Sequence, residues 1–289
     1  MFKTIGILSP GDMGHAVGGR LAEKGLRVVA ALGERSGRTQ RLAAQVGIED
    51  VGDYAGLVTA SDAILCILVP AEAEATAQGV ADALAATGIS LLYADCNAIA
   101  PQTVRRIAGI IGGAGSRFVD ASIIGGPPRP GYTPRFYASG PGAAEFAALN
   151  DCGLEVVQMG ERVGDASAIK MCYGALTKGQ SALYTELLVA AEALGVSDAL
   201  TGEFRKSQAD ALKRMDGLPG MPPKSRRWVG EMEEIAATFA AVGLTPKIFE
   251  GAADLYRFVG DTALADRNPE DPGKPSLGEM VRQLADSLP

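Results

Sequence analysis

The segment Ser9-Pro10-Gly11-Asp12-Met13-Gly14 holds residue types that let a backbone wrap around an anion. It follows a short apolar run, Thr4–Leu8, that reads as a strand, and it opens a helical pattern over residues 13–24 that stops at Gly25. In a strand–turn–helix of this kind Gly11 allows backbone N–H groups to approach a pyrophosphate, and Gly14 allows the helix to pack close to the sheet. The start of the helix then offers unpaired N–H groups and the positive end of its dipole. Ser9 stands where the G-x-G-x-x-G pattern has its first glycine. A plain tight turn between strand and helix is the alternative reading.

A second group closes the next apolar run, residues 26–32: Gly33-Glu34-Arg35-Ser36-Gly37-Arg38-Thr39. An acidic side chain at this place binds the ribose hydroxyls of NAD, whereas arginines and hydroxyls suit the 2′-phosphate of NADP. The planar forks of Arg35 and Arg38, with Ser36 and Thr39, favour NADP. Glu34 keeps NAD open, and a solvated charged loop is the other reading.

A third group lies on a long helical pattern, residues 166–194. Lys170, Gly174, Thr177 and Ser181 share one face at 3.6-residue spacing, with Tyr173 and Lys178 at its borders. A lysine on a helix face ordinarily snorkels to water. Burial instead disfavours its charged form and brings its pKa toward neutrality, which suits proton exchange with a reacting oxygen. A lysine that stays charged can polarise a carbonyl.

These groups need a frame. Apolar runs at 63–69, 90–94 and 117–120 join the first two as strands, and 137–139 and 155–159 add later ones. The runs are continuous rather than alternating, as in parallel strands buried on both faces. Alternation with helical stretches predicts an α/β Rossmann domain with a doubly wound, mostly parallel sheet. Residues 125–133, rich in Gly and Pro, read as a loop. Beyond residue 164 strand-like runs become scarce, and residues 206–213 and 231–242 read as helices around a loop at 217–224. The boundary is therefore set at 1–164 for the dinucleotide-binding domain and 165–289 for an all-α domain joined to it by the long helix.

Composition narrows the function. The chain of 289 residues carries a net charge of −7, which argues against non-specific nucleic-acid binding. Cys66, Cys96, Cys152 and Cys172 form no C-x-x-C pair, and His15 is the only histidine, so no metal site is expected. Cys66 reads as a reduced, buried thiol. No apolar run is long enough to span a membrane, and the N-terminus lacks a signal-peptide pattern, so a cytoplasmic protein is expected.

Several spaced motifs agree with one family. The chain resembles the β-hydroxyacid dehydrogenase superfamily, which includes 3-hydroxyisobutyrate and 6-phosphogluconate dehydrogenases, over nearly its whole length. It is most similar to the branch with a DUF1932-type C-terminal domain. That resemblance rests on Tyr93-Ala94-Asp95-Cys96-Asn97-Ala98-Ile99, Ile169-Lys170-Met171-Cys172-Tyr173 and Arg227-Trp228-Val229-Gly230-Glu231-Met232. The family's substrate motif, D-x-P-x-S-G-G, aligns with Asp120-Ala121-Ser122-Ile123-Ile124-Gly125-Gly126. Ser122 replaces its proline and Ile124 its serine, while Gly125 and Gly126 keep the close backbone approach to substrate.

The resemblance implies that Lys170 is the general acid/base, on the helix that joins the domains. The family has asparagine four residues later, where this chain has Gly174. With Ile124, that change implies a pocket roomier or less polar than one for a small hydroxy acid. Tyr173 supplies a hydroxyl near the reacting oxygen or packs in the core, and Thr177 completes the substrate face. Asn97 holds the nicotinamide or makes an Asx turn, and Val69-Pro70 shapes the cofactor edge. His15 is a helix-face residue or a phosphate contact. The places of Trp228 and Arg226-Arg227 stay open.

The implied protein is a homodimer paired through its helical domains. Its leading activity is NADP-dependent oxidation of an alcohol or reduction of the matching carbonyl. Imine reductases share this architecture but usually carry Asp or Tyr at the lysine position. A cofactor-binding protein without catalysis is the third reading.

Overall fold

The computed structural model describes residues 2–267 and 273–289. Alternation of apolar strands and amphipathic helices builds the first unit. Its elements run β1 (Thr4–Leu8), α1 (Asp12–Ala22), β2 (Arg27–Ala30), α2 (Gly37–Gln45), β3 (Glu49–Asp50), α3 (Tyr54–Ala60) and β4 (Ala63–Cys66). They continue with α4 (Pro70–Thr87), β5 (Leu92–Asp95), α5 (Pro101–Gly113), β6 (Arg117–Ile124), β7 (Arg135–Ser139), α6 (Ala143–Phe146) and β8 (Glu155–Gln158). The sheet order is β3-β2-β1-β4-β5-β6-β7-β8, and every pair is parallel except β6 with β7. This is the mostly parallel doubly wound sheet expected from the continuous apolar runs.

Both faces of the sheet are covered. Ile5, Ile7, Val28, Leu65 and Val119 belong to the core of one face; Leu8, Val29, Ile64, Cys66 and Tyr93 belong to the other. Each fully buried Ile or Leu contributes roughly 1.5–3 kcal/mol. The chain reverses direction across the sheet between β1 and β4, and ligands of such sheets bind beyond the carboxyl ends of strands at that switch point. The Ser9–Gly14 turn leaves β1 there, and Val69-Pro70 follows β4.

Strand bounds differ in places. Residues 117–120 are only the first half of β6, which continues to Ile124, so Ser122 and Ile124 lie in the strand. β4 stops at Cys66, and Pro70 opens α4 at a position where its missing N–H costs nothing.

The long helix α7 spans Asp165–Ala193. After it come α8 (Ser197–Ser207), α9 (Ala209–Met215), α10 (Ser225–Ala241), α11 (Lys247–Gly260) and α12 (Leu277–Ala285). Residues 206–213 are not one helix, because Ser207 ends α8 and the chain breaks at Gln208. α10 begins six residues before Glu231, and short 3-10 turns occupy most of 217–224. The chain divides into two compact units, Met1–Met171 and Cys172–Pro289. Among the described residues no helix is long and apolar enough to cross a membrane.

Candidate active site

The glycine turn is built by steric necessity at one position and strain at another. A Cβ on Gly14 would lie 2.4 Å from the Ser9 carbonyl oxygen, so only glycine lets α1 approach the turn. Ser9 adopts φ +61°, the left-handed conformation usually left to glycine, and the Gly11 N–H donates to its carbonyl at 2.8 Å. Gly11 is different: a Cβ there meets nothing within 4 Å among the described residues. That side of the turn is open. No side chain among the described residues caps α1 at Gly11, so its first N–H groups face the opening. An open, uncapped helix start behind a tight turn fits a pyrophosphate. His15 Nδ1–H donates to the Gly11 carbonyl at 2.7 Å, so His15 braces the turn.

Asp12, in the first turn of α1, accepts a hydrogen bond from Arg38 Nη2 at 2.5 Å. That pair ties the second loop to the glycine turn and offsets a carboxylate that would otherwise repel phosphate. Ser36 caps α2, accepting from the Thr39 N–H at 3.3 Å, and its hydroxyl lies 3.1 Å from that of Thr39. Arg35 is half-buried, and its charge acts weakly on the Cys66 thiol at the end of β4. A second helix start with two hydroxyls and two arginines nearby is chemically suited to a phosphate monoester.

Met13 and Pro10 shape the turn; Val69 is exposed as the residue before α4. The Asn97 side chain is engaged across strands rather than in an Asx turn of its own. It is buried, its Oδ1 accepts the Leu68 N–H at 2.5 Å, and its Nδ2 lies 3.4 Å from Cys66 Sγ. It ties the ends of β4 and β5 together. The Asx turn at this corner belongs to Asp95, whose Oδ1 accepts the Asn97 N–H at 2.9 Å.

The lysine is gripped by β6. Lys170 Nζ donates to the Ile123 carbonyl. One helical turn earlier, Asp120 holds the start of α7: it accepts from the Gly164 N–H at 3.1 Å, the Ser167 N–H at 2.9 Å and the Ser167 hydroxyl at 3.0 Å. Ser139 adds a bond at 3.3 Å and itself accepts the Ala166 N–H. Burial pushes the Asp120 carboxyl up to about 6, against the pull of these donors. Its register partner Asp95 is also buried, and burial, with the Asp120 charge adding to it, pushes it up to about 7 against the Asn97 N–H. Asp95 Oδ2, Tyr93 Oη and Ser122 Oγ have no hydrogen-bond partner among the described residues.

The family's substrate motif thus falls into two parts. Ser122 and Ile124 are buried in β6, whereas Gly125 and Gly126 turn out into an exposed loop. Gly125 has φ +129°, and a Cβ on it would sit 2.2 Å from the Tyr132 hydroxyl. That hydroxyl accepts the Gly126 N–H at 3.2 Å, and Arg129 lies 4.8 Å from the Tyr132 ring centre. Tyr132 and Asp120 were not singled out from sequence. An aromatic residue inside a Gly/Pro loop was the signal for the first, and a carboxylate in an apolar strand for the second.

Further along α7, Thr177 bonds back to the Tyr173 carbonyl at 3.1 Å. Tyr173 is 47% exposed, so it is not a core residue of this chain. Beside Gly174, the Ile235 side chain of α10 lies 3.1 Å from where a Cβ would stand. Lys178 pairs with buried Glu231 and lies 5.6 Å from the Trp228 ring centre, and Trp228 meets Tyr256 edge-on at 5.3 Å.

Comparison with known proteins agrees with this layout. The NAD binding domain of 6-phosphogluconate dehydrogenase matches residues 4–153, and a domain of unknown function, DUF1932, matches residues 191–259. An uncharacterized 28.5 kDa protein of Methanothermus fervidus is 24% identical over 88% of this chain and 98% of its own. A conserved protein of unknown function, whose structure was reported as similar to 3-hydroxyacid dehydrogenases, is 30% identical, with TM-score 0.64 over 90% of this chain and all of its own. The fold is shared with Mycobacterium tuberculosis 3-hydroxyisobutyrate dehydrogenase, at 21% identity and TM-score 0.69 over 98% and 99% of the chains. It is shared more distantly with a Streptomyces aurantiacus imine reductase, at 18% identity and TM-score 0.55 over 96% and 98%. The open glycine turn thus belongs to a domain type that takes a nicotinamide cofactor, NAD or NADP, and an NAD(P)-dependent dehydrogenase or reductase follows. On the match to its N-terminal half and more, the chain belongs to the family of the 6-phosphogluconate dehydrogenase NAD-binding domain, in its β-hydroxyacid dehydrogenase-like DUF1932 branch.

Proposed function

We propose that the chain is an NADP-dependent oxidoreductase that interconverts an alcohol and its carbonyl, with Lys170 as general acid/base. The observation that carries the reading is Lys170 Nζ held on the Ile123 carbonyl, two residues before Gly125-Gly126. The cofactor supplies or accepts the hydride when bound. Gly11 and the start of α1 would hold its pyrophosphate; Arg35, Ser36, Arg38 and Thr39 would hold the 2′-phosphate. Lys170, as the neutral amine, takes the hydroxyl proton as the alcohol is oxidised; as the ammonium so formed it returns that proton as the carbonyl is reduced. The Ile123 carbonyl orients Nζ, and the exposed Gly125-Gly126 turn, braced by the Tyr132 hydroxyl on the Gly126 N–H, offers a close backbone approach to substrate. Ile124 puts an apolar side chain where the family motif has serine, which supports a hydroxy acid or a larger, less polar analogue as the substrate.

Residues 1–164 then serve as the dinucleotide-binding domain and 165–289 as the substrate and dimerisation domain. Exposed Leu176 and Leu183 on α7, with Leu194 just past its end, support pairing of two copies through the helical unit.

The test is calorimetric titration with NADPH and NADH, followed by a turnover screen of alcohols, ketones and imines. NADPH should bind the more tightly. Lys170→Ala should keep cofactor affinity and lose about 10²–10⁴ in kcat. Full activity in that variant would remove Lys170 from the chemistry, and turnover of imines alone would replace alcohol chemistry by imine reduction.

A further inference from the structure

The four donors gathered by Asp120 serve no strand pairing. They come from Gly164 and Ser167 at the start of α7 and from Ser139 on β7. Helix starts leave N–H groups unpaired, and a side chain of the helix's own first residues usually satisfies them. Here a carboxylate 44 residues earlier in the chain does so, from within a fully buried stretch of β6. Residues three apart on a helix lie on one face, so Ser167 and Lys170 point to the same side. On β6, Asp120 and Ile123 are also three apart. Strand and helix are therefore joined at two successive points, first carboxylate to N–H and hydroxyl, then carbonyl to ammonium.

We propose that Asp120 is a positioning residue: its carboxylate fixes the first turn of α7 on β6, and so sets Lys170 Nζ on the Ile123 carbonyl. It touches neither substrate nor cofactor. This rests on Lys170 as the proton-transfer group, but the placement of that lysine can be read without any reaction. Asp120→Asn keeps the shape but removes the charge: its amide oxygen can serve the two N–H donors at the Oδ2 place only as a neutral acceptor, with its NH2 turned onto the Ser167 hydroxyl. Ser167→Ala removes one donor of the set and leaves the carboxylate in place.

The experiment is trace acylation of lysines with limiting acetic anhydride at pH 9, read peptide by peptide by mass spectrometry, on the full chain without substrate. In the parent protein Lys170 should react slowly. In Asp120→Asn its reaction should rise at least five-fold, and in Ser167→Ala by a smaller factor. Exposed Lys24 and Lys206 should stay at parent rates. Ile107→Ala, a core variant on α5, controls for loss of stability alone and should leave Lys170 slow. The proposal is overturned if Lys170 reactivity is unchanged in both test variants, or if Ile107→Ala raises it equally. Should Asp120→Asn not fold, Ser167→Ala against Ile107→Ala decides the matter. With a substrate in hand, Asp120→Asn should lower kcat about ten-fold or more at unchanged cofactor affinity. Retained activity in Lys170→Ala would end the acid/base reading without touching the labelling result.

Discussion

Asp95 offers a sharp test of the electrostatics beneath the site. Its carboxyl is buried on β5, with one oxygen accepting the Asn97 N–H and the other without a partner among the described residues. Burial pushes it up to about 7, from an unfolded value of about 3.8. The folded protein therefore binds a proton that the unfolded chain releases. Stability from this group is full below about pH 4 and is lost as pH rises toward 7. About three pH units correspond to ~4 kcal/mol at full loss. Asp95→Asn cannot ionise and keeps an acceptor for Asn97, at the cost of burying a neutral amide. A net gain of about 1–3 kcal/mol is expected above pH 7. At roughly 2–4 °C per kcal/mol, the variant should melt several degrees above the parent at pH 8. At pH 4.5 the advantage should vanish.

The neighbours do not confuse the result. Burial pushes the Cys66 thiol up to about 12 and holds Cys96 and Tyr93 well above their ordinary values, so all three stay neutral in this window. Asp120 titrates in both proteins; its repulsion with an ionised Asp95 exists only in the parent and at high pH, so its loss in the variant adds to the expected gain. Thermal unfolding followed by circular dichroism from pH 4.5 to 8.5 gives the comparison. A difference between variant and parent that does not grow with pH would refute the reasoning.

Three further outcomes follow from the geometry. Gly14→Ala places a Cβ against the Ser9 carbonyl and should weaken NADPH binding by about 100-fold or more, a loss of ~3 kcal/mol from prying α1 off the turn; parent-like affinity in calorimetry would contradict this. Arg38→Ala removes a charge-assisted donor and leaves Asp12 facing the phosphates, so NADPH should weaken by roughly 10–100-fold. NADH, titrated alongside, should weaken less, and equal losses for the two would remove Arg38 from the 2′-phosphate. Gly174→Asn forces a side chain into Ile235 and should cost about 1–3 kcal/mol in urea unfolding. An unchanged midpoint would mean that α10 does not pack as described.

The parts of the site that could be read from sequence are those whose chemistry is local. The Ser9–Gly14 turn was legible because its strand, glycines and helix are contiguous, and the demand on Gly14 arises within six residues. Lys170 was legible only through its family motif, since a lysine on a helix carries no mark of what its ammonium meets. β6 was cut short at Asp120 because a carboxylate looks like the end of an apolar strand. Its partners on α7 lie 44 and 47 residues away, which no local pattern reveals. The partners of the Asn97 amide, Leu68 and Cys66, are hidden from sequence for the same reason: they lie about 30 residues upstream. Gly174 looked like a removed side chain, yet the space beside it belongs to Ile235, 61 residues on.

Ser9 carries a consequence of another kind. A glycine at that point of the turn would roam widely before a ligand arrives, and its freedom would be surrendered on binding. A serine held at φ +61° has little freedom left to surrender. The strain of roughly 1 kcal/mol or more is met once, during folding, where the packed sheet and α1 can bear it. The loop then meets its anion already in shape. Affinity at this turn comes from a lower ordering entropy as well as from contacts.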